Sequence, residues 1–228
     1  MTNQLEGILD SLRGGLIVSC QADDSSPLNS AEFQAALAKA AVIQGAIGIR
    51  ARGAAHIRAI KAAVAVPVIG LEKVRSASAI YITPTAQSAG RLIDAGADVI
   101  AFDATHLPRT EADSIEEIIE VIHRAGRIAM ADIATEAEAL SALQSGADCV
   151  ATTLAGHTEE TSSMLLPAID LLRAICQSAK GPVFCEGGVQ TPAQAREALR
   201  AGAHAVVVGT AITGVEWKVR EFVNALRS

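Results

Sequence analysis

Short apolar segments alternate with amphipathic helical patterns along the whole 228-residue chain. Four apolar segments follow a glycine that closes a helical pattern, in IQGAIGIR, DAGADVIAF, QSGADCVATT and RAGAHAVVV. These glycines are Gly45, Gly96, Gly146 and Gly202. Glycine is expected just past a helix end, because a residue without Cβ adopts a positive φ at little cost. Their near-regular spacing indicates a fourfold repeat of one supersecondary unit.

Four more apolar segments, GLIVSC, VPVIGLEK, RIAMADI and PVFCEG, lie between those strands. Helical patterns such as SIEEIIEVIHRAG and TPAQAREALRAG fill the gaps, and several begin on Ser or Thr, which cap helix N-termini. Eight alternating βα units predict an α/β fold, a (β/α)8 TIM barrel, in which residues 1–228 form a single domain. A doubly wound open sheet is the alternative, but the regular repeat favours the closed barrel.

Composition supports this architecture and narrows the possible functions. Hydrophobic residues make up 50% of the chain but only six residues are aromatic, which suits a parallel sheet wrapped by helices rich in small residues. A net charge of −6 argues against nucleic-acid binding, and no apolar run is long enough to cross a membrane. The N-terminus lacks a signal-peptide core, and the four cysteines form no CxxC pair, so we expect a reduced cytoplasmic protein without bound zinc.

The predicted strands end on polar side chains, although the strands themselves carry almost no charge. The active sites of such barrels lie at the C-terminal ends of the strands, so these residues predict a polar pocket there. In strand order they are Gln21, Arg50, Lys73, Asp103, Asp132, Thr152 with Thr153, Glu186, and Gly209 with Thr210.

Some of these residues have a purely structural interpretation. Asp103 and Asp132 could cap the loops or helices that follow them, and Arg50 and Asp132 could form an ion pair that closes the barrel top. Lys73 is harder to explain structurally, since a buried lysine is rarely tolerated without a purpose. Cys20 and Cys185 each precede a polar terminal residue, so strand alternation should turn both thiols toward the helices.

Two glycine-containing loops follow the predicted strands 7 and 8. In barrels of this kind these loops often bind a phosphate through backbone N–H groups, and glycines let the anion approach closely. The sequence therefore predicts phosphate recognition at Gly187, Gly188, Gly209 and Thr210.

Lys73 and Glu186 belong to strands 3 and 7, which lie opposite each other in a ring of eight. A substrate between them would present one face to an amine and the other to a carboxyl group. Stereochemical inversion through a planar enolate needs such proton-transfer groups on opposite faces of one carbon. Low dielectric and a neighbouring cation such as Arg50 would bring the lysine toward its neutral form.

The chain resembles the N-acetylmannosamine-6-phosphate 2-epimerase family over essentially its whole length. The segments that carry the resemblance are GLIVSCQ, AIGIRARG, PVIGLEK, YITPT, VIAFDAT, RIAMADI, ATTLAGHT, CEG and VVGTAIT. It implies a phosphorylated amino-sugar substrate, used in sialic-acid and amino-sugar catabolism, and no metal or organic cofactor. It also implies that Lys73 and Glu186 are the acid and base at C2, and that Gln21, Arg50 and Asp132 hold the sugar.

The chain departs from the family pattern at four positions. Val74 follows the lysine where the family has Arg, and Glu72 precedes it in place of an apolar residue. Gly188 stands where the family often has Arg or a polar residue, and Gly214 stands where the family usually has an Arg that binds the phosphate. We therefore expect Gly214→Arg to lower the Michaelis constant for a phosphorylated sugar, unless another cation, for which Arg109 is a candidate, already binds the phosphate or the natural substrate is different.

Two other functions fit the same pattern. Lys73 could be the nucleophile of a Schiff-base aldolase on another phosphosugar, or the chain could be a non-catalytic sugar-phosphate sensor. The C-terminal stretch GVEWKVREFVNALRS predicts a helix whose apolar stripe serves mostly core packing and partly a homodimer contact. The stripe consists of Trp217, Val219, Phe222, Val223 and Leu226.

Overall fold

The computed structural model describes residues 2–74 and 80–227, and the eight parallel strands within them close into a barrel in sequence order. The (β/α)8 prediction is confirmed, and the extension of this one domain over residues 1–228 stays a prediction. The strands are β1 Leu16–Cys20, β2 Gly48–Arg52, β3 Val68–Leu71, β4 Val99–Asp103, β5 Ile128–Asp132, β6 Cys149–Ala151, β7 Val183–Cys185 and β8 Ala205–Val208. The helices are α1 Thr2–Ser11, α2 Ala31–Ile43, α3 Ala54–Ala63, α4 Ala86–Asp94, α5 Ile115–Arg124, α6 Glu136–Gln144, α7 Ile169–Ser178, α8 Pro192–Arg200, α9 Thr210–Thr213 and α10 Val215–Ala225.

Several helices begin or end at residues that the sequence indicates. Five of them have a side-chain oxygen at the N-cap that accepts a backbone N–H of the first turn. These caps are Ser30, Thr85, Ser114, Thr135 and Thr191. The four repeat glycines all have positive φ, between 94° and 111°. Within the described residues, no helix is both long and apolar enough to cross a bilayer.

Strand alternation separates the apolar side chains into two layers. One layer fills the barrel interior, and the other lies between the strands and the helices. Cys20 and Cys185 belong to the outer layer, as predicted. Leu71 and Phe184 belong to the interior layer. Lys73 and Glu186 come two residues after them, so the same alternation directs both toward the inside of the barrel. The alternation thus delivers both groups to the top of the barrel.

Candidate active site

A cavity of about 590 Å³ opens at the C-terminal ends of the strands. Its size is typical of a small-molecule site. It brings together eight of the predicted site residues: Gln21, Lys73, Thr153, Glu186, Gly187, Gly188, Gly209 and Thr210. Arg50 and Asp132 are fully buried and do not line this cavity. Their predicted contacts with a substrate stay predictions.

Arg50 and Asp132 form a buried ion pair beneath the cavity floor. Arg50 Nη2 lies 2.5 Å from Asp132 Oδ2, and Nη1 donates to Oδ1 over 3.2 Å. The Thr153 hydroxyl also donates to Asp132 Oδ1, over 2.7 Å. Glu186 Oε2 is 3.1 Å from Arg50 Nη1 but lacks hydrogen-bond geometry. The Arg50 guanidinium therefore lies within ion-pair distance of two carboxylates, those of Asp132 and Glu186.

Glu186 is held in an environment that disfavours its charge. Its side chain is 13% exposed, and burial raises its pKa to about 7. The Arg50 guanidinium opposes this rise, while the Asp132 carboxylate adds to it. Near neutral pH the protonated and ionised forms are therefore both populated, which suits a group that must donate and accept a proton.

The backbone around Glu186 is fixed by one hydroxyl and two glycines. Thr152 Oγ1 donates to the Glu186 carbonyl over 2.8 Å and accepts its N–H over 3.1 Å. Gly187 and Gly188 have φ of 101° and 70°, which side chains rarely adopt. A Cβ at Gly188 would also lie 2.3 Å from the Leu166 Cβ, which accounts for the missing side chain there.

Lys73 lies two residues beyond the end of β3. It forms an isolated antiparallel bridge with Ile82, and its Nζ lies 5.7 Å from the ring centroid of Tyr81. Burial lowers the pKa of Lys73, and the neighbouring charges of Arg50 and Arg52 lower it further. The amine is therefore moved toward the neutral form that can remove a proton.

The segment that carries Lys73 is fixed by Thr83, a fully buried β-branched residue with φ 43°. Its hydroxyl accepts the Glu72 N–H over 3.1 Å and donates to the Ala101 carbonyl over 2.7 Å. The Glu72 carboxylate meanwhile pairs with Arg91 on α4. The unusual acid before Lys73 thus belongs to a surface ion pair outside the cavity.

Asp103 and Arg109 do not line the cavity. Asp103 Oδ1 accepts the Thr105 N–H over 3.0 Å and its hydroxyl over 2.6 Å, so this aspartate caps the loop after β4. Arg109 donates to the carbonyls of Asp103 and Asp113, over 2.9 and 2.7 Å. Because Arg109 donates to these loop carbonyls and does not line the cavity, it is not placed to be the substitute phosphate ligand that the sequence suggested.

The environment of Gly214 overturns the expectation that an arginine there would restore a phosphate contact. A Cβ at position 214 would lie 2.6 Å from the backbone oxygen of Thr210 and 2.7 Å from its Cγ2. Such distances require the backbone between α9 and α10 to move. An arginine at this position would therefore disturb the loop on which phosphate binding is predicted.

The α10 helix differs most from what its sequence predicted. The apolar stripe expected to pack mostly into the core is exposed, with Val219, Phe222 and Leu226 at 56, 69 and 87%. That expectation is wrong because α10 lies outside the ring of helices that covers the strands, and none of its residues is buried. Its other face lines the cavity through Glu216, Trp217 and Arg220, which helical spacing from the strand-8 loop could have indicated.

The histidines that follow strands 4 and 6 differ in their access to the cavity. His157 lines it, whereas His106 is exposed and does not. In the part of the chain that the structure describes, no group of three or more His, Cys, Asp or Glu side chains is arranged to hold a metal ion.

Comparison with known proteins identifies extensive similarity to one family. The family model described as "Putative N-acetylmannosamine-6-phosphate epimerase" matches residues 34–228. The "Putative N-acetylmannosamine-6-phosphate 2-epimerase" of Thermosynechococcus vestitus is 46% identical over 95% of both chains. The protein of the same name from Clostridioides difficile is 40% identical over 96% of this chain and 99% of its own. The solved structure of the N-acetylmannosamine-6-phosphate 2-epimerase from Clostridium perfringens is 38% identical, covers 96% of each chain and superposes with a TM-score of 0.92.

Proposed function

The chain belongs to the N-acetylmannosamine-6-phosphate epimerase family, and we propose that it interconverts N-acetylmannosamine 6-phosphate and N-acetylglucosamine 6-phosphate. The observation that carries the proposal is the placement of Lys73 and Glu186, from facing strands, on one cavity at the barrel top. The family relationship over nearly the whole chain indicates the same activity.

The two sugars differ only in the configuration at C2, which lies next to the carbonyl carbon of the open-chain form. Removal of the C2 proton gives a planar enolate, and return of a proton to the opposite face inverts the centre. Lys73 and Glu186 approach the cavity from β3 and β7, on opposite sides of the barrel. A sugar bound between them presents one face to each group.

The opposed pKa shifts of the two groups suit this exchange. In one direction a neutral Lys73 removes the C2 proton while the Glu186 carboxyl group donates its own to the other face. The products of that step, an ammonium and a carboxylate, are the state required for the reverse direction. Burial lowers the pKa of Lys73 and raises that of Glu186, which brings these two states closer in free energy.

Polar groups around the two catalytic residues are suited to hold the sugar phosphate. Gln21 Nε2 donates to Ser19, but its buried Oε1 accepts no hydrogen bond from the described residues, so it is available to a sugar hydroxyl or amide. Thr153 lines the cavity floor. Arg50 and Asp132 are assigned to the carbonyl and acetamido groups of the sugar. The backbone N–H groups of Gly187 and Gly188 have no acceptor within residues 2–74 and 80–227, so they and the Gly209–Thr210 turn are assigned to the phosphate.

Turnover of N-acetylmannosamine 6-phosphate in heavy water tests the proposal. NMR should show deuterium at C2 of the product, because both bases exchange their protons with solvent. Lys73→Ala should abolish turnover, whereas Lys39→Ala, which removes an exposed amine on α2, should leave it unchanged. Product that retains its C2 hydrogen completely would contradict proton exchange by these groups.

The two alternative functions predict different results. A Schiff-base aldolase would be trapped covalently at Lys73 by borohydride in the presence of substrate, whereas the epimerase should not be. A sugar-phosphate sensor would bind the sugar without any turnover. The paired acid and base favour the enzyme, since binding alone needs neither.

We also propose that two copies associate through the exposed face of α10, in a cytoplasmic enzyme of amino-sugar and sialic-acid catabolism. This face carries Val215, Val219, Phe222 and Leu226, all more than half exposed. A contiguous apolar face of this kind is typical of an interface between proteins. Sedimentation of a monomer at high protein concentration would contradict the homodimer.

A further inference from the structure

The wall of the cavity next to the strand-8 loop is built by one face of α10. Glu216 and Arg220 are four residues apart, so they share this face, and Trp217 lies beside them. All three line the cavity together with the glycine loops after β7 and β8. The Glu216 carboxylate accepts a hydrogen bond from the Ser26 hydroxyl over 3.0 Å, which connects this part of α10 to the loop after β1. The helix therefore presents a charged side chain to the cavity at the end where the phosphate is assigned.

The charges around the cavity do not by themselves favour an anion. Its described lining contains three acids, Asp23, Glu186 and Glu216, against two cations, Lys73 and Arg220. Lys73 stands at the end of β3, opposite the loops that follow β7 and β8. A phosphate on those loops therefore needs a cation on its own side. In the described part of the chain, Arg220 is the cation that lines that side.

Arg220 is available for this contact. Its guanidinium makes no hydrogen bond or ion pair to any other residue within 2–74 and 80–227. The neighbouring cation Lys218, by contrast, is paired with Glu221 at 2.9 Å. Position 214 cannot supply the charge, because any Cβ there meets the Thr210 backbone. An arginine further along α10 reaches the same cavity without that conflict.

We propose that Arg220 binds the phosphate group of the substrate and selects for phosphorylated sugars. The inference rests on the proposed function for the identity of the sugar, but phosphate binding itself can be measured separately. The planar guanidinium offers parallel N–H donors that match two phosphate oxygens. The backbone N–H groups of the glycine loops complete the site from the other side.

The test compares Arg220→Gln with Arg227→Gln, which removes an exposed arginine beyond the end of α10 that does not line the cavity. The measured quantities are kcat and KM for N-acetylmannosamine 6-phosphate, and the dissociation constant of inorganic phosphate by calorimetry. Loss of a charge-assisted contact should weaken phosphate binding by about 10- to 100-fold and raise KM by a similar factor. Because the phosphate is remote from C2, kcat should change much less. Arg227→Gln should behave as the parent, and Arg220→Lys should recover only part of the loss.

Three outcomes separate the two proposals. If the parent turns over the sugar phosphate but Arg220→Gln changes neither KM nor phosphate binding, the assignment of Arg220 is wrong and the epimerase proposal stands. If the parent shows no turnover but binds phosphate in an Arg220-dependent manner, the epimerase proposal fails and the phosphate site is supported. If the parent binds neither phosphate nor the sugar phosphate, the phosphate site itself is refuted.

Discussion

Glu186→Gln should make the protein more stable at neutral pH. The substitution keeps the shape of the side chain and removes its ionisation. In the folded chain this carboxyl group keeps its proton up to about pH 7, whereas its ordinary pKa is 4.5. Between these values the folded state binds more protons than the unfolded state, so the parent's free energy of unfolding falls as pH rises through the window. At about 1.4 kcal/mol per pH unit, the cost reaches up to about 3 kcal/mol above pH 7.

The assay is urea denaturation of the parent and the variant at pH 5, 6, 7 and 8. The glutamine carries no charge at any of these pH values, so the stability of the variant relative to the parent should increase with pH and level off above pH 7. Glu197→Gln, which removes an exposed carboxylate on α8, is the matched control and should show no such trend. A constant difference between Glu186→Gln and the parent from pH 5 to pH 8 would refute the proposed burial cost.

The same variant should lose its activity while it gains stability. Removal of a general acid or base typically lowers the rate by about 100- to 10,000-fold. A variant nearly as active as the parent would show that Glu186 moves no proton. Lys73, together with groups of the substrate, would then carry the exchange, and the two-base assignment would be wrong.

Two further substitutions test the loops around the site. Thr83→Val removes the hydroxyl that accepts the Glu72 N–H, so the free energy of unfolding should fall by about 1–3 kcal/mol and kcat should also fall. Thr83→Ser should restore both, and parent-like kinetics for the valine variant would show that the hydroxyl does not position Lys73. Gly214→Arg should raise rather than lower KM for the phosphorylated sugar, because its Cβ conflicts with Thr210; an improved KM with an unchanged melting temperature would show that the loop adjusts without cost.

The sequence alone was sufficient for the barrel and for eight of the residues that line the cavity. Regular alternation of strands and helices, with glycines such as Gly45 and Gly96 after helix ends, depends on local backbone preferences that act within a few residues. The direction of a strand and its period of two then determine that Lys73 and Glu186 reach the top of the barrel. Both are properties of short segments, so they can be recognised without knowledge of distant contacts.

Only the tertiary structure decided which polar groups meet and which are free. Arg50 and Asp132 are 82 residues apart in sequence, yet they form a buried ion pair, and neither side chain lines the cavity. Arg109 looked available for a phosphate but is committed to loop carbonyls, whereas Arg220, whose helix was expected to serve the core, lines the cavity. These outcomes depend on how α10 and the loops pack against the closed barrel. A packing arrangement is set by contacts between residues far apart in sequence, which no local pattern of apolar and polar positions encodes.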